Sequence, residues 1–256
     1  MALLDESLLA TGPLVVGATG GSGTRVVARI LREATLFTGS DLNESEDAWK
    51  LGDYGDRWIN LYAGSGGDPG EAAEMEMRAD LAQVLRDHCA PVAGTAKPWG
   101  WKEPRSIYLL PFFHRHLPRL RFLHVVRDGR DMAFSENQNQ LRMHGVASGI
   151  APGSPEPVRS IALWARVNLA ASLFGANVLG DRYHRVRFED LCADAAGVAE
   201  ELLAWAGLEG DASAAVAAVT APAGVGRWRA ADPALVADLE GVANVALRAF
   251  GYVPGP

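Results

Sequence analysis

The chain has 256 residues, of which 48% are hydrophobic and 21% charged, and its net charge is −7 at pH 7. This length allows one substantial core, and the acidic balance argues against a nucleic-acid-binding protein, whose domain is usually basic. No run of 18 apolar residues occurs, so we expect no membrane span. Residues 1–13 lack the basic start of a secretory signal, and only two cysteines are present. We therefore expect a reduced, cytoplasmic protein.

The first half of the chain alternates strand and helix signals, with one long irregular insertion. Apolar, β-branched runs predict strands, and apolar residues at helical spacing predict helices. The predicted elements are a buried strand at 14–18, a helix at 24–33, a loop-rich and partly helical insertion at 37–70, a helix at 71–88 with Met75, Leu81 and Leu85 buried, a strand at 99–102 and a helix at 106–116.

The second half continues the same alternation. Its predicted elements are a strand at 121–126, a helix from there to about 141, a loop at 145–157, a helix at 158–179, a strand at 183–188, a helix from 189 to 205, and helices at 212–219 and 233–250. Strands separated by helices imply right-handed crossovers. The sequence therefore predicts an α/β fold with a mostly parallel sheet covered on both faces.

A glycine-rich loop, TGGSGT at 19–24, stands between the first predicted strand and helix. Glycines let successive backbone N–H groups turn toward one point, and the start of a helix adds partial positive charge. The loop predicts a nest for an anion, with a tight turn that binds nothing as the alternative. It is not a P-loop, because no lysine precedes Thr24.

The same loop allows a dinucleotide hypothesis. Gly17, Gly20 and Gly23 follow one another at three-residue intervals, which is close to the start of the short-chain dehydrogenases. An NAD(P)-dependent reductase of that kind needs a second strand that ends in an acid or arginine about 20 residues on. The segment 31–47 makes a poor strand, and Tyr183 is followed four residues later by Arg187 rather than by lysine.

A second anion site is predicted where the strand at 121–126 ends. The strand delivers Arg127 to its carboxyl end, and Ser135 follows eight residues later on the next predicted helix. An arginine fork and a serine hydroxyl can bind one phosphate together. An arginine after a strand is more often part of a surface ion pair, so this segment carries weight only together with the others.

Together these segments resemble the nucleotide-dependent sulfotransferases of bacterial type, whose donor is 3′-phosphoadenosine 5′-phosphosulfate (PAPS). That family has an x-S-G-T loop after its first strand and a V-R-D/N-x-x-D-x-x-x-S segment after a later one. The chain matches the first with SGT at 22–24 and the second with VRDGRDMAFS at 126–135. Three further segments match in the same order, namely KEPR at 102–105, RFEDL at 187–191 and GVGRWR at 224–229.

The resemblance covers about residues 13–230 and has consequences for fold and donor. It implies one domain over 1–256 with the three-layer fold of the P-loop-like sulfotransferases. It also implies PAPS as donor, 3′-phosphoadenosine 5′-phosphate (PAP) as product, and no metal. The 5′-phosphosulfate is then expected on Gly20, Gly21, Ser22, Gly23, Thr24 and Arg25. The 3′-phosphate is expected on Arg127, Ser135 and Arg227, and the adenine against Phe188 or Trp228, for either of which a core role is the alternative.

The chain departs from the family pattern in its catalytic groups. Many members carry a lysine or arginine immediately before S-G-T, where this chain has Gly21. The resemblance assigns the missing cationic role to Lys102, or otherwise to Arg25. A general base is expected about 18 to 20 residues after the S-G-T glycine, which favours Asp41, with Glu44 close by. The alternative is that either carboxylate caps a helix.

The resemblance implies transfer of a sulfuryl group to a hydroxyl or amine of an acceptor. The insertion at 37–70 is expected to form a lid over the acceptor, and its aromatic-rich part at 45–65 and the loop at 145–157 are expected to wall the acceptor pocket. A small metabolite, a glycan and a lipid-linked saccharide all remain open as acceptors. Because of Gly21, a non-catalytic nucleotide-binding module is a third hypothesis beside the sulfotransferase and the reductase.

Overall fold

The computed structural model describes residues 3–252 and has a four-stranded, all-parallel sheet at its centre. The strands are β1 (Pro13–Gly17), β2 (Trp99–Lys102), β3 (Arg121–Val126) and β4 (Tyr183–Arg187). Their order across the sheet is β2-β1-β3-β4. The register pairs Val15 with Trp101 and with Phe122, one on either side of β1. The predicted parallel α/β sheet is confirmed.

Within residues 3–252, twelve α-helices join and cover these strands. They are α1 (Glu6–Thr11), α2 (Thr24–Glu33), α3 (Trp49–Gly64), α4 (Glu71–Cys89), α5 (Leu110–His116), α6 (Gly129–Ala133), α7 (Asn139–His144), α8 (Glu156–Phe174), α9 (Phe188–Ala193), α10 (Ala195–Ala206), α11 (Ser213–Ala217) and α12 (Pro233–Ala249). Among residues 3–252, short 3₁₀ segments also occur at Ala90–Val92, Pro104–Leu109, Gly180–Arg182 and Arg227–Ala230, and a π turn at Gly175–Leu179 follows α8.

The core is split between the two faces of the sheet because side chains alternate along a strand. On one face Val15 and Phe122 pack with residues from α3, α4, α5 and α8. On the other face Val16 and Leu123 pack with residues from α2, α10 and α11. A third group joins α6, α8 and α12 around Trp164 and Phe250. Two layers of helices thus enclose the sheet.

The insertion at 37–70 is partly helical, as predicted, and its helical part is α3, with 16 residues. Leu51, Tyr54 and Ile59 of α3 face the core at helical spacing. In α4 the buried methionine is Met77, whereas Met75 is 66% exposed. The prediction for Met75 was therefore wrong.

The helix predicted from β3 to about 141 is broken in two. Between α6 and α7 the chain turns, and the amide of Gln138 donates to the carbonyl oxygens of Met132 at 3.0 Å and Ser135 at 2.8 Å. This side chain adds hydrogen bonds to carbonyl groups at and just beyond the end of α6, where helical N–H partners run out. Ser135 consequently lies between the two helices, and the prediction that it stands on a helix was wrong.

The helical segment Glu156–Arg182 is long and apolar enough to pass a length and composition test for a membrane span. Core helices pass the same test. In this protein Trp164 is 2% exposed and packs edge-on against Phe250, which directly follows α12, and Asn168 is fully buried. These contacts account for the apolar composition of α8.

Candidate active site

The candidate site lies at the carboxyl edge of the sheet, where three neighbouring strands end. The glycine loop follows β1, Lys102 ends β2, and Arg127 follows β3. Because the strands are parallel neighbours, their ends meet at one edge. A cleft of about 720 Å³ opens there. Its lining includes Gly20, Gly21, Gly23, Thr24, Arg25, Asn43, Ser45, Asp47, Trp49, Asp53, Asp56, Lys102, Arg105, Asn139, Gln140 and Met143.

The glycine loop has the backbone shape of an anion nest. Gly21 and Gly23 take positive φ values of 82° and 84°, which side chains other than glycine rarely adopt. A Cβ on Gly23 would lie 2.1 Å from the ring of Phe188, so only glycine fits there. The hydroxyl of Ser22 is buried and donates to the carbonyl of Thr19 at 2.7 Å. Ser22 therefore holds the loop in shape, and the N–H groups at the start of α2 remain available for a ligand.

Two cations meet on the cleft side of this loop. Lys102 is 2% exposed, and its Nζ donates to the carbonyl oxygen of Ser45 at 2.7 Å. The Nε of Arg25 donates to the same oxygen at 3.3 Å. Burial lowers the pKa of Lys102, against the opposing effect of its ion pair with Asp47. The structure thus brings together the two residues that the sequence offered in place of a cation at Gly21.

The Ser45 carbonyl belongs to a tight segment, Asn43–Asp47, which we call the strap. The side-chain oxygen of Asn43 accepts from the N–H of Ser45 at 2.8 Å and of Asp47 at 3.0 Å. Glu46 has a left-handed φ of 62° and pairs with Arg29 and Arg32 on α2. Such a backbone costs about 1–2 kcal/mol in a residue other than glycine, so the surrounding contacts must stabilise it.

The strap brings a different carboxylate to the cleft from those that the sequence suggested. Asp41 and Glu44 are exposed, and neither lines the cleft. Asp47 lines it, and the carboxylate of Asp47 pairs with Lys102. Asp47 stands in the same acidic string, but only the turn of the strap decides which acid points inward. The walls of the cleft also differ in part from the prediction. Asn139 and Met143 of α7 line the cleft, and the loop at 145–157 does not.

Arg127 contacts the glycine loop but does not line the cleft. It is 6% exposed, its Nη1 donates to the carbonyl oxygen of Gly21 at 3.4 Å, and its guanidinium lies 5.5 Å from the ring centre of Phe188. Its Nε and Nη2 are buried without a hydrogen-bond partner, although Nη2 lies 3.6 Å from the carboxylate of Asp131. Unsatisfied buried donors are rare and costly, and an anion would satisfy these. The residues present therefore fit a phosphate group.

The remaining predicted donor contacts gather around the end of α6. The Nη1 of Arg227 donates to the carbonyl oxygen of Phe134 at 3.2 Å, which brings Arg227 near the neighbouring Ser135. Phe188 is 3% exposed and lies beneath the glycine loop. Trp228 is half-buried, and the guanidinium of Arg130 lies 3.8 Å from its ring centre. Within residues 3–252, no group of three or more His, Cys, Asp or Glu side chains is arranged to hold a metal ion.

A parallel sheet with a glycine loop after one strand and a buried arginine after its neighbour is an arrangement that suits a phosphorylated ligand. The chain belongs to the sulfotransferase family, whose sequence profile matches residues 13–212. No curated protein matches the chain in a sequence comparison.

Solved structures share the fold at low sequence identity. Sulfotransferase STF9 from Mycobacterium avium has a TM-score of 0.60 and 12% identity, covering 95% of this chain and 78% of that one. The sulfotransferase domain from the curacin biosynthetic pathway has a TM-score of 0.56 and 14% identity, covering 95% and 99%. Sulfotransferase STF1 from Mycobacterium tuberculosis H37Rv has a TM-score of 0.53 and 15% identity, covering 81% and 71%. These similarities confirm the predicted sulfotransferase fold.

Proposed function

We propose that this protein transfers a sulfuryl group from PAPS to a hydroxyl or amine of an acceptor and releases PAP. One observation carries the proposal. Arg127, whose Nε and Nη2 are buried without a partner, contacts the carbonyl oxygen of Gly21 and does not line the cleft, while Lys102 and Arg25 line the cleft beside the same loop. Two anion sites that share a single loop suit a nucleotide that carries phosphate at two positions.

The donor would be bound by groups from three strand ends. In the proposal, the N–H groups of 21–24 with Thr24 and Arg25 hold the 5′-phosphosulfate, and Arg127, Ser135 and Arg227 bind the 3′-phosphate. Trp228 suits the adenine better than Phe188 does, because Phe188 is 3% exposed and has no free face for a base. Trp228 is only half-buried.

The transfer itself needs charge stabilisation and removal of a proton. As the sulfur–oxygen bond to the nucleotide breaks and the bond to the acceptor oxygen or nitrogen forms, Lys102 would stabilise the negative charge left on the phosphate oxygen. A carboxylate would accept the acceptor proton. Asp41 and Glu44 are the sequence candidates, and Asp47 is the carboxylate that lines the cleft beside Lys102. We therefore place Asp47 first among the three.

The acceptor would enter between α3 and α7. Trp49 and Met143 line the cleft and are 54% and 43% exposed, so the cleft has apolar walls at its mouth above a polar floor. Among the open acceptor classes, a small molecule is favoured over a glycan or lipid-linked saccharide, since two of the similar structures are domains from a curacin pathway and an olefin synthase. The donor and the acceptor class are parts of the proposal.

The experiment compares ligands and then follows turnover. In a thermal-shift assay PAP should raise the melting temperature, and NADPH should not. Radiolabelled PAPS with a library of small alcohols, phenols and amines should then yield a labelled product, which a Lys102→Met control should not form. Stabilisation by NADPH alone would overturn the proposal. PAP binding without turnover on any acceptor would point instead to a nucleotide-binding module.

A further inference from the structure

Asp131 is a buried carboxylate that contacts two separate parts of the predicted 3′-phosphate site. It is 2% exposed, and it stands on α6 one turn after Arg127. One of its oxygens accepts from the N–H of Gly226 at 2.7 Å, and the other accepts from the N–H of Trp228 at 3.3 Å. Its Oδ2 also lies 3.6 Å from the Nη2 of Arg127.

We propose that Asp131 is a positioning residue that assembles the 3′-phosphate site from two pieces, Arg127 and the loop 224–229. Arg127 comes from the end of β3, and the loop comes from a distant part of the chain, since Gly226 follows its partner Asp131 by 95 residues. The proposal rests on the proposed function, because it assumes that a 3′-phosphate binds at Arg127.

The loop 224–229 makes several contacts with the region of α6, and those of Asp131 are the ones that bind its backbone. Arg227 donates to the carbonyl of Phe134, and Trp228 stacks on Arg130, so the loop lies against α6 through its side chains as well. Among residues 3–252, Asp131 alone accepts hydrogen bonds from the backbone N–H groups of Gly226 and Trp228, on both sides of Arg227. These two bonds fix the direction in which the Arg227 side chain leaves the loop, while the same carboxylate orients the guanidinium of Arg127.

A carboxylate suits this position better than an amide of the same shape. Both oxygens of Asp131 accept hydrogen bonds from backbone N–H groups, and one of them also faces the guanidinium of Arg127. All three of these partners are donors. In Asp131→Asn one oxygen becomes an NH₂ group that meets a donor instead of supplying an acceptor. The variant keeps the volume and loses the charge, one backbone hydrogen bond and the pairing with Arg127.

The test separates the 3′-phosphate from the rest of the nucleotide. Binding of PAP and of 5′-AMP, which lacks the 3′-phosphate, is measured by calorimetry for the wild type and for Asp131→Asn. We expect the variant to weaken PAP binding by about 10-fold or more, the size of a lost hydrogen bond to a charged group. Binding of 5′-AMP should change by less than about twofold. A general loss of structure would weaken both ligands alike.

Glu33→Gln is the matched control. The carboxylate of Glu33 also accepts from a backbone N–H, that of Ala215 at 2.8 Å, but it joins α2 to α11. Its substitution should leave the ratio of the two affinities unchanged. An unchanged ratio in Asp131→Asn as well would overturn the inference about Asp131 and leave the proposed function intact. Failure of the wild type to bind PAP would overturn both.

A measurement on the wild type tests the same inference without any variant, so it does not depend on whether Asp131→Asn folds. Hydrogen–deuterium exchange of a peptide covering 224–229 is followed with PAP and with 5′-AMP. Because the N–H groups of Gly226 and Trp228 are bonded to Asp131, PAP should slow their exchange and 5′-AMP should not. Equal exchange with both nucleotides would contradict a site assembled around the 3′-phosphate.

Discussion

At the scale of single residues, the candidate site contains cationic side chains that donate hydrogen bonds to backbone carbonyl oxygens. Lys102 and Arg25 meet at the Ser45 carbonyl, and Arg127 reaches that of Gly21. A carbonyl orients a cation without neutralising its charge, so the cation stays attractive to an anionic ligand. Asp47 and Asp131 each supply a partial counter-charge from the side.

Arg127→Ala should weaken PAP binding by about 10- to 100-fold, because it removes charge-assisted hydrogen bonds to one phosphate. Arg127→Lys should recover little of this loss, since an ammonium cannot reproduce the fork of a guanidinium. Calorimetric titration of both variants with PAP checks the prediction, with circular dichroism as the control for folding. Wild-type affinity in Arg127→Ala would contradict the assigned role.

The choice among the three carboxylates can be tested by turnover. Asp47→Asn should lower kcat by about 10²- to 10⁴-fold, the usual contribution of a general base. Asp41→Asn and Glu44→Gln should stay near the wild type, because these exposed side chains do not line the cleft. The rates are measured with labelled PAPS and any acceptor that the library yields. A larger loss in Asp41→Asn than in Asp47→Asn would restore the first sequence candidate.

At the scale of elements, strand–loop–helix units were predictable and the breaks within helical stretches were not. The glycine loop between β1 and α2 was evident from its composition, since few residues other than glycine fit such a turn. Where α6 ends at Ala133, the side chain of Gln138 bonds to carbonyls several residues before it. A glutamine is common inside helices, so nothing in its type announced that role.

Substitutions in the glycine loop should distinguish a position where a Cβ is not tolerated from one where it is. Gly23→Ala should lower the free energy of unfolding by more than about 1 kcal/mol, the cost of an unfavourable backbone conformation alone. The variant combines a φ of 84° with a Cβ placed 2.1 Å from the ring of Phe188, so the overlap adds to that cost. Gly20→Ala should cost much less, because its Cβ would meet the Gln140 side chain at an ordinary 3.5 Å. Urea unfolding of both variants gives the comparison, and equal losses would contradict the packing against Phe188.

At the scale of the whole molecule, the buried histidine of the central sheet links stability to pH. His124 on β3 is fully buried between the hydroxyl of Tyr183 and the side-chain oxygen of Asn168, each at 2.8 Å. Burial lowers its pKa from 6.5 to about 4. The folded state therefore keeps His124 neutral, while the unfolded state takes up a proton below about pH 6.5.

The sign of the resulting effect follows from proton uptake. Between about pH 6.5 and 4 the unfolded state binds more protons, so stability falls as the pH is lowered, by at most about 3 kcal/mol from this residue. The free energy of unfolding in urea is measured from pH 7 to pH 4 for the wild type and for His124→Gln. The slope should be shallower in the variant, and parallel curves would show that His124 does not contribute.

The sequence by itself determined the local units of this protein. It specified the parallel α/β order, the glycine loop, the arginine at the end of β3 and the family to which they belong. These features depend on side-chain periodicity and on residue types that few local conformations accept, so neighbours along the chain suffice to reveal them.

Only the tertiary structure decided which distant groups meet. It placed Asp47 instead of Asp41 in the cleft, brought Lys102 and Arg25 to one carbonyl, and joined Arg127 to the loop 224–229 through Asp131. The physical reason is that these contacts join segments separated by tens of residues. Their geometry is set by how helices pack on the sheet and by one left-handed residue in the strap, Glu46.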